Sequence, residues 1–254
     1  MKKLSVFIYY ILCIGLNNCA DQPQKISNIE SQRIEINNDV EPDKSIEDFI
    51  KPYTLKVNKD MDSVLAFSPK NYSKKDGQFN TAIGNFMADV VLKESQPIFK
   101  NRTGLNIDMV LLNYGGIRST IPEGPITTRT AYEVMPFENE VIIATLKGEQ
   151  IFELIDYLVK SKKPHPISGL KIELDANRNV NKASINNKEI DLNTSYNVAT
   201  SDYLYRGGDR MDFFSKHEKS YPLDYKIRNV LIDYFKKIDT LDFETDDRFV
   251  MLSR

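Results

Sequence analysis

The chain has 254 residues, of which 41% are hydrophobic and 28% charged, and its formal net charge at pH 7 is −2. This length is sufficient for one domain with a sizeable core. A near-neutral chain without a long basic run lacks the charge pattern of a nucleic-acid-binding protein, so we expect no nucleic-acid partner. Only two histidines occur, which argues against a zinc cage or an imidazole-rich two-metal centre formed by this chain alone.

The N-terminus has the pattern of a targeting segment. Lys2 and Lys3 precede a largely apolar run of 13 residues, 4–16 (LSVFIYYILCIGL). Such a run is too short to span a membrane comfortably, but it has the length of the hydrophobic part of a signal peptide.

The residues after this run resemble the lipobox of bacterial lipoproteins, in which a cysteine is lipidated and becomes the first residue. The match is loose, because Asn17 and Asn18 replace the small residues that usually precede the cysteine, Cys19. An ordinary secretory signal with an incidental cysteine is the alternative, although it would leave a free thiol in an oxidising compartment. We expect a signal peptide over residues 1–18 and a lipid anchor at Cys19. These features predict a location in the bacterial cell envelope, at the periplasmic or outer-membrane face.

The rest of the chain divides into a tether and one domain. Residues 19–45 are polar, lack aromatic residues and show no sustained period, as is typical of a flexible tether. From residue 46 the pattern changes, and 46–254 is predicted to form the domain. Its first part contains two predicted helices, Asp48–Leu65 and Ala82–Phe99, the second of which is expected to end near Pro97.

Strands and helices alternate in the remainder of the domain. This order predicts an α/β (α+β) fold in which a mixed β-sheet is packed with helices. The predicted strands are Ile107–Leu112, Glu140–Leu146, Ser168–Leu174 and Ser195–Thr200, and the predicted helices are Gln150–Val159 and 224–238.

A glycine pair follows the first of these strands. In residues 113–118 (NYGGIR), Gly115 and Gly116 would let backbone N–H groups converge on an anion. Arg118 offers a guanidinium that can bind phosphate or carboxylate through two hydrogen bonds. In isolation this pattern is weak, and a plain turn with a surface arginine is the more frequent structure.

A proline precedes an aromatic residue just before the second strand. In residues 135–139 (MPFEN), Phe137 is placed to present its ring as a stacking surface. In isolation, a phenylalanine of the core is the more frequent structure.

A third segment follows the last predicted strand. In residues 201–209 (SDYLYRGGD), Tyr203 lies six residues before Asp209, and Gly207 and Gly208 immediately precede the acid. A carboxylate presented by a glycine turn suits a pair of sugar hydroxyls. The alternative is that Asp209 caps a helix that follows it.

Taken in order, the three segments resemble the C-terminal, substrate-binding domain of the 5′-nucleotidase family. That domain carries NxGGIR after a strand, then PFxN, then (T/S)xYLxxGGD after another strand. Residues 83–89 (IGNFMAD) also match its early (L/M)GNxxxD helix. The resemblance covers residues 46–254 and implies the α/β (α+β) fold of that domain.

The resemblance also implies a nucleotide or nucleoside ligand. In the family, two aromatic rings enclose the nucleobase, and they correspond here to Phe137 and Tyr203, where tyrosine replaces the usual phenylalanine and keeps the π-face. By the same correspondence, Asn113 would meet the base, Arg118 the phosphate–ribose side and Asp209 the ribose hydroxyls. The expected substrate-binding set is completed by four glycines: Gly115, Gly116, Gly207 and Gly208.

The chain departs from the family in two respects. In the family, an arginine that faces the phosphate often lies shortly before the helix with the (L/M)GNxxxD motif. The corresponding residues of this chain, 77–81 (GQFNT), contain no basic residue. Phosphate binding would then be weaker or would come from Arg206, Arg210 or a partner. In addition, the family's metallophosphoesterase domain is N-terminal and binds two metal ions, and residues 20–45 cannot form it. We therefore expect no catalytic residue, metal ligand or cofactor in this chain, and divalent metals in a partner.

These observations predict a nucleotide- or nucleoside-recognising domain of a 5′-nucleotidase-type hydrolase of nucleotide catabolism. It would act with a separately encoded metallophosphoesterase and be inactive alone. The alternative is a non-catalytic surface lipoprotein that captures nucleosides or nucleotides. Thiosulfate-oxidising and sugar-nucleotide hydrolases share the domain, but the paired aromatic residues favour a ligand that contains a base.

Overall fold

A computed structural model describes residues 26–37 and 39–252. The signal peptide expected over 1–18 and the lipidation expected at Cys19 lie outside the described residues. No helix in the described ranges is long and apolar enough to cross a membrane.

The chain divides into two compact units, Met1–Phe49 and Ile50–Arg254. In the first unit, the described residues are exposed to solvent. The second unit contains every strand of the described chain, and its secondary structure is as follows. The helices are α1 (Lys44–Met61), α2 (Ala82–Thr103), α3 (Thr128–Val134), α4 (Gly148–Ser161), α5 (Asp202–Tyr205) and α6 (Ile227–Phe235), of which α1 begins in the first unit. The strands are β1 (Val64–Ser68), β2 (Met109–Leu111), β3 (Gly124–Thr127), β4 (Glu140–Lys147), β5 (Ile167–Ser168), β6 (Leu170–Leu174), β7 (Val180–Ile185), β8 (Lys188–Glu189), β9 (Ser195–Ser201), β10 (Lys219–Lys226) and β11 (Phe249–Met251).

A five-stranded sheet with the order β10-β4-β9-β2-β5 forms the centre of the second unit. Strands β2 and β9 are parallel and the other neighbours are antiparallel. Side chains alternate between the two faces of a strand. Accordingly, Val110 of β2 packs into one hydrophobic cluster, with residues of α2, α3 and α6, whereas Met109 and Leu111 pack into another, with residues of α4. The central sheet is therefore buried on both faces, and the predicted mixed sheet packed with helices is confirmed.

Two smaller sheets complete the fold. Strands β1 and β3 form an antiparallel pair, and β11-β6-β7-β8 form a four-stranded sheet in which β11 is parallel to β6. Arg248, just before β11, donates hydrogen bonds to both carboxylate oxygens of Asp89 on α2, at 2.9 and 2.8 Å, and to the carbonyl of Ile167 at 2.7 Å. These contacts fix the four-stranded sheet against α2 and the central sheet.

Helix α2 is longer than the sequence predicts. Thr81 caps its start, with a hydroxyl that accepts the Gly84 N–H at 3.1 Å, and Gly104, which has a φ of 76°, caps its end. The prediction that it ends near Pro97 is wrong. The helix continues because Phe99, shortly after the proline, is fully buried and packs against Tyr221, and this burial offsets the hydrogen bond that a proline cannot donate.

Three other predicted boundaries are wrong. Residues 224–226, predicted as the start of a helix, are the end of β10, because Asp224 has a φ of 54° and the chain pairs with β4. The predicted strand 168–174 is interrupted at Gly169, which has a φ of 76° and would place a Cβ 2.4 Å from the Asp108 carbonyl oxygen. The first predicted helix is displaced, since α1 ends at Met61 and β1 begins at Val64.

Candidate functional site

The loop after β2 forms one wall of a cleft. Asn113 precedes a short 3₁₀ helix, Tyr114–Gly116. Gly116 approaches the Asn113 side chain so closely that a Cβ would lie 2.8 Å from its Oδ1, and only glycine fits there without displacement. The Asn113 amide donates a hydrogen bond of 2.8 Å to Oδ2 of Asp209. Thus the first and third motif segments meet, 96 residues apart in sequence.

The segment after β9 forms the opposite wall. Ser201 caps α5 by accepting the Leu204 N–H at 3.2 Å, and this cap fixes the start of the helix that carries Tyr203. The Tyr203 hydroxyl donates to Oδ1 of Asp209 at 3.0 Å. A Cβ on Gly208 would lie 2.5 Å from the Tyr203 ring, so a glycine at this position is needed for the ring to pack here. The Asp209 carboxylate therefore contacts Tyr203 and Asn113, and the alternative that it caps a following helix is not observed.

Arg228 holds the turn that carries Phe137. Its guanidinium is buried, donates to the carbonyls of Pro136 and Phe137 at 3.2 and 3.4 Å, and forms an ion pair with Glu138. It also lies 3.9 Å from the centroid of the Tyr132 ring. Hydrogen bonds from Arg228, and from Lys226, lower the pKa of Glu138 to about 2, so this carboxylate stays charged at neutral pH.

The aromatic rings of the site are exposed. Phe137 retains 41% and Tyr203 46% of its accessible surface. The alternative that Phe137 belongs to the core is therefore wrong. Its backbone is fixed by Arg228, whereas its ring is open to solvent, as a stacking surface requires.

The two rings line one cleft, which we call the aromatic cleft, with a volume of about 310 Å³. Arg118 lies beside it, with its guanidinium carbon 5.7 Å from the Phe137 ring centroid. Gly207 and Gly208 belong to the adjacent turn, and Met135 and Asn139 are lining residues that the predicted set did not include. The cleft is lined by Asn113, Gly115, Gly116, Arg118, Met135, Phe137, Asn139, Tyr203 and Asp209.

A larger cavity of about 790 Å³ adjoins the aromatic cleft and shares Gly115 and Asp209 with it. His165 lines this cavity, and its Nδ1 accepts the Tyr114 N–H at 3.2 Å. Burial lowers the pKa of His165 to about 4, so the ring is neutral at physiological pH and available as an acceptor. His165 thus supports the glycine-pair loop. The sequence carried no signal for this role, because the contact joins residues 51 positions apart.

Three of the four ring nitrogens of the two histidines have hydrogen-bond partners, and Nε2 of His165 is buried without one. His165 directs Nδ1 to the Tyr114 N–H, and both ring nitrogens of His217 have partners, the Tyr205 hydroxyl and the Phe214 carbonyl, each at 2.9 Å. In the described ranges, no group of three or more histidine, cysteine, aspartate or glutamate side chains is placed to hold a metal ion.

Comparison with known proteins gives the family. A sequence model described as "5'-nucleotidase, C-terminal domain" matches residues 57–216, more than half of the chain. The chain belongs to this family. As a member of the 5′-nucleotidase C-terminal domain family, it is a nucleotidase-type substrate-binding domain.

Curated relatives of this nucleotidase-type domain are longer proteins. A 5′-nucleotidase of Vibrio parahaemolyticus is 24% identical over 255 residues, which cover 94% of this chain and 41% of the relative. The trifunctional nucleotide phosphoesterase protein YfkN of Bacillus subtilis is 28% identical over 180 residues, covering 62% of this chain and 11% of the relative. The chain therefore spans less than half the length of these relatives.

Solved structures share the fold of the 5′-nucleotidase C-terminal domain. The 5′-nucleotidase precursor of Thermus thermophilus superposes with a TM-score of 0.69 at 23% identity, covering 82% of this chain and 43% of that chain. The NAD nucleotidase of Haemophilus influenzae gives a TM-score of 0.62 at 17% identity, covering 83% of this chain and 42% of that chain. TM-scores of this size show a common fold.

Proposed function

We propose that this chain recognises the nucleoside part of a nucleotide for a 5′-nucleotidase-type hydrolase of nucleotide catabolism. The observation that carries the proposal is the aromatic cleft, in which two exposed rings, Phe137 and Tyr203, lie beside the Asp209 carboxylate. Family membership and the names of the relatives, which are nucleotidases and nucleotide phosphoesterases, support it.

In this proposal, each group of the cleft binds one part of the nucleotide. Stacking between Phe137 and Tyr203 would bind a base with little discrimination, since every base offers a π-face. Asp209 would accept hydrogen bonds from the ribose hydroxyls, and the hydrogen bonds from Tyr203 and Asn113 already fix its orientation. Arg118 would face the phosphate, because its guanidinium lies at the edge of the cleft beside Phe137. A volume of about 310 Å³ is within the range of small-molecule sites.

We further propose that a separately encoded metallophosphoesterase supplies the metal ions and the activated water. The matching family model is that of the C-terminal domain, and the histidines of this chain are engaged in other contacts. We also propose that a lipid at Cys19 anchors the mature protein to the bacterial cell envelope, by the resemblance of residues 16–19 to a lipobox.

An activity assay with the purified protein tests whether this chain binds the nucleotide and a partner supplies the catalytic centre. With Mg²⁺ or Mn²⁺ added, the chain should bind nucleotides but show no appreciable phosphatase turnover, because two engaged histidines cannot assemble a two-metal site. Affinity purification from the native host followed by mass spectrometry should recover a metallophosphoesterase, and its addition should produce hydrolysis. Robust metal-dependent hydrolysis by this chain alone, free of contaminating phosphatase, would contradict the proposal. Nucleotide binding without any such partner would favour the capturing lipoprotein instead.

The role of Asp209 is tested by substitution. Asp209→Asn should weaken binding of ribonucleosides about tenfold, because a charged acceptor for two hydroxyls is lost. Binding of 2′,3′-dideoxynucleosides should change much less, since these ligands present neither hydroxyl. Calorimetric titration with both ligand types measures the difference, and equal losses for the two would remove Asp209 from the ribose site.

A further inference from the structure

Asp209 and Arg210 form a turn with a strained backbone. Both residues have a left-handed conformation, with φ of 53° and 61°. A side chain at a positive φ is crowded by its own backbone, so two such residues in succession are disfavoured unless other contacts hold them. The direction of the Asp209 carboxylate, which would bind the ribose hydroxyls, depends on this turn.

The polar groups of Asp209 are bound from two sides. On the side of the aromatic cleft, the Tyr203 hydroxyl donates to one carboxylate oxygen at 3.0 Å and accepts the Asp209 N–H at 3.3 Å, and Asn113 donates to the other carboxylate oxygen. On the side of the larger cavity, the Tyr157 hydroxyl donates a hydrogen bond of 3.0 Å to the Asp209 carbonyl. Tyr203 and Asn113 would themselves contact a bound nucleoside, whereas Tyr157 holds the turn from outside the aromatic cleft.

Tyr157 has a fixed position relative to the central sheet. Its helix, α4, packs on that sheet through four buried residues, Ile151, Leu154, Ile155 and Leu158. The Tyr157 ring contacts two buried rings, Phe213 and His165, at centroid distances of 5.9 and 5.6 Å. Burial raises the pKa of the Tyr157 hydroxyl, and the charge of Asp209 raises it further, so the hydroxyl keeps its proton at neutral pH and can donate.

We infer that Tyr157 is a positioning residue for Asp209 and thereby sets the preference of the site for nucleosides with free ribose hydroxyls. The inference rests on the proposed function, in which Asp209 accepts hydrogen bonds from the ribose, and it adds the residue that holds the Asp209 main chain. Without the Tyr157 hydroxyl, the Asp209 carbonyl loses its donor and the turn can relax from its left-handed conformation. The carboxylate would then move relative to the ribose, while the rings that stack on the base stay in place.

Calorimetric titration of the protein with adenosine and 2′,3′-dideoxyadenosine tests the inference. Tyr157→Phe removes the hydroxyl and keeps the ring. It should weaken adenosine binding about fivefold, as expected for one lost hydrogen bond, and leave dideoxyadenosine binding within about twofold. In the Asp209→Asn protein, the same substitution should cause little further loss of adenosine affinity, because the two residues act through one contact.

Tyr225→Phe is the matched control. The half-buried Tyr225 also donates a hydrogen bond through its hydroxyl, to Asp233 at 2.8 Å, and it does not line the aromatic cleft. Its substitution should leave both affinities unchanged. Thermal melting of each variant shows whether the folded proteins are being compared.

The outcomes separate the inference from the proposed function. Equal losses for the two ligands in Tyr157→Phe would show that Tyr157 supports the cleft as a whole, and unchanged adenosine affinity would show that its hydrogen bond does not hold Asp209. Fully additive losses in the double variant would show that the two residues act independently. Each of these results would overturn the inference, whereas tighter binding of adenosine than of dideoxyadenosine by the unaltered protein would still support the proposed function. If the unaltered protein binds neither ligand, the proposed function fails and the inference fails with it.

Discussion

Phe137→Ala and Tyr203→Ala should each weaken nucleoside binding by about 1–3 kcal/mol, or about 5- to 150-fold in dissociation constant. Each substitution removes one of the two faces between which the base would stack. Because both rings are exposed by more than 40%, their removal should change the melting temperature by only about 2 °C or less. Calorimetric titration and thermal melting of the same samples measure the two effects.

Phe152→Ala is the matched control for this experiment. Phe152 has the same exposed fraction as Phe137, 41%, and it lies on α4. Its truncation should leave nucleoside affinity unchanged. The aromatic cleft would not be the binding site if Phe137→Ala lowered the melting temperature sharply, as truncation of a core phenylalanine does at a cost of about 3–5 kcal/mol, while the affinity of the folded protein stayed the same.

Arg228→Met should destabilise the protein by about 2–4 kcal/mol and also weaken nucleoside binding. The guanidinium is almost fully buried and donates to the carbonyls of Pro136 and Phe137. Its loss removes these hydrogen bonds and the ion pair with Glu138, and it releases the turn that carries the Phe137 ring. Arg228→Lys should restore stability and affinity only in part, because the ammonium group of lysine lacks the planar arrangement of N–H donors in a guanidinium. Urea unfolding gives the change in stability.

Lys226→Met is the control for the ion pair. Lys226 also pairs with Glu138, but its side chain is 40% exposed and makes no bond to the turn carbonyls. Its substitution should change both stability and affinity little. If Arg228→Met and Lys226→Met had equally small effects on stability and affinity, Arg228 would not position Phe137.

The segments that line the aromatic cleft could be recognised in the sequence because each of them is local. Glycine pairs, the Pro136–Phe137 turn and the acid after a glycine turn are short segments, each adjacent to a strand whose hydrophobic pattern is clear. The strands that became β4 and β9 were recognisable for the same reason, since a buried strand is a continuous or alternating apolar run. The family resemblance placed these segments in one site, and the structure brings them into one cleft.

The elements and residues that escaped prediction depend on distant contacts. β10 contains Pro222 and Asp224, which disfavour a strand in isolation, and it is stabilised by pairing with β4. Arg228 and His165 support the site through partners that are 92 and 51 residues away in sequence. No local pattern distinguishes such side chains from ordinary helix, core and surface residues, because their roles arise only when the chain folds.

A crystal structure of the protein with a bound nucleoside tests the central claim most directly. We expect the base between the rings of Phe137 and Tyr203, with the ribose 2′- and 3′-hydroxyls donating to the carboxylate of Asp209 and the 5′ side directed towards Arg118. A nucleoside bound elsewhere, such as in the larger cavity beside His165, or no binding at millimolar concentrations, would contradict the account.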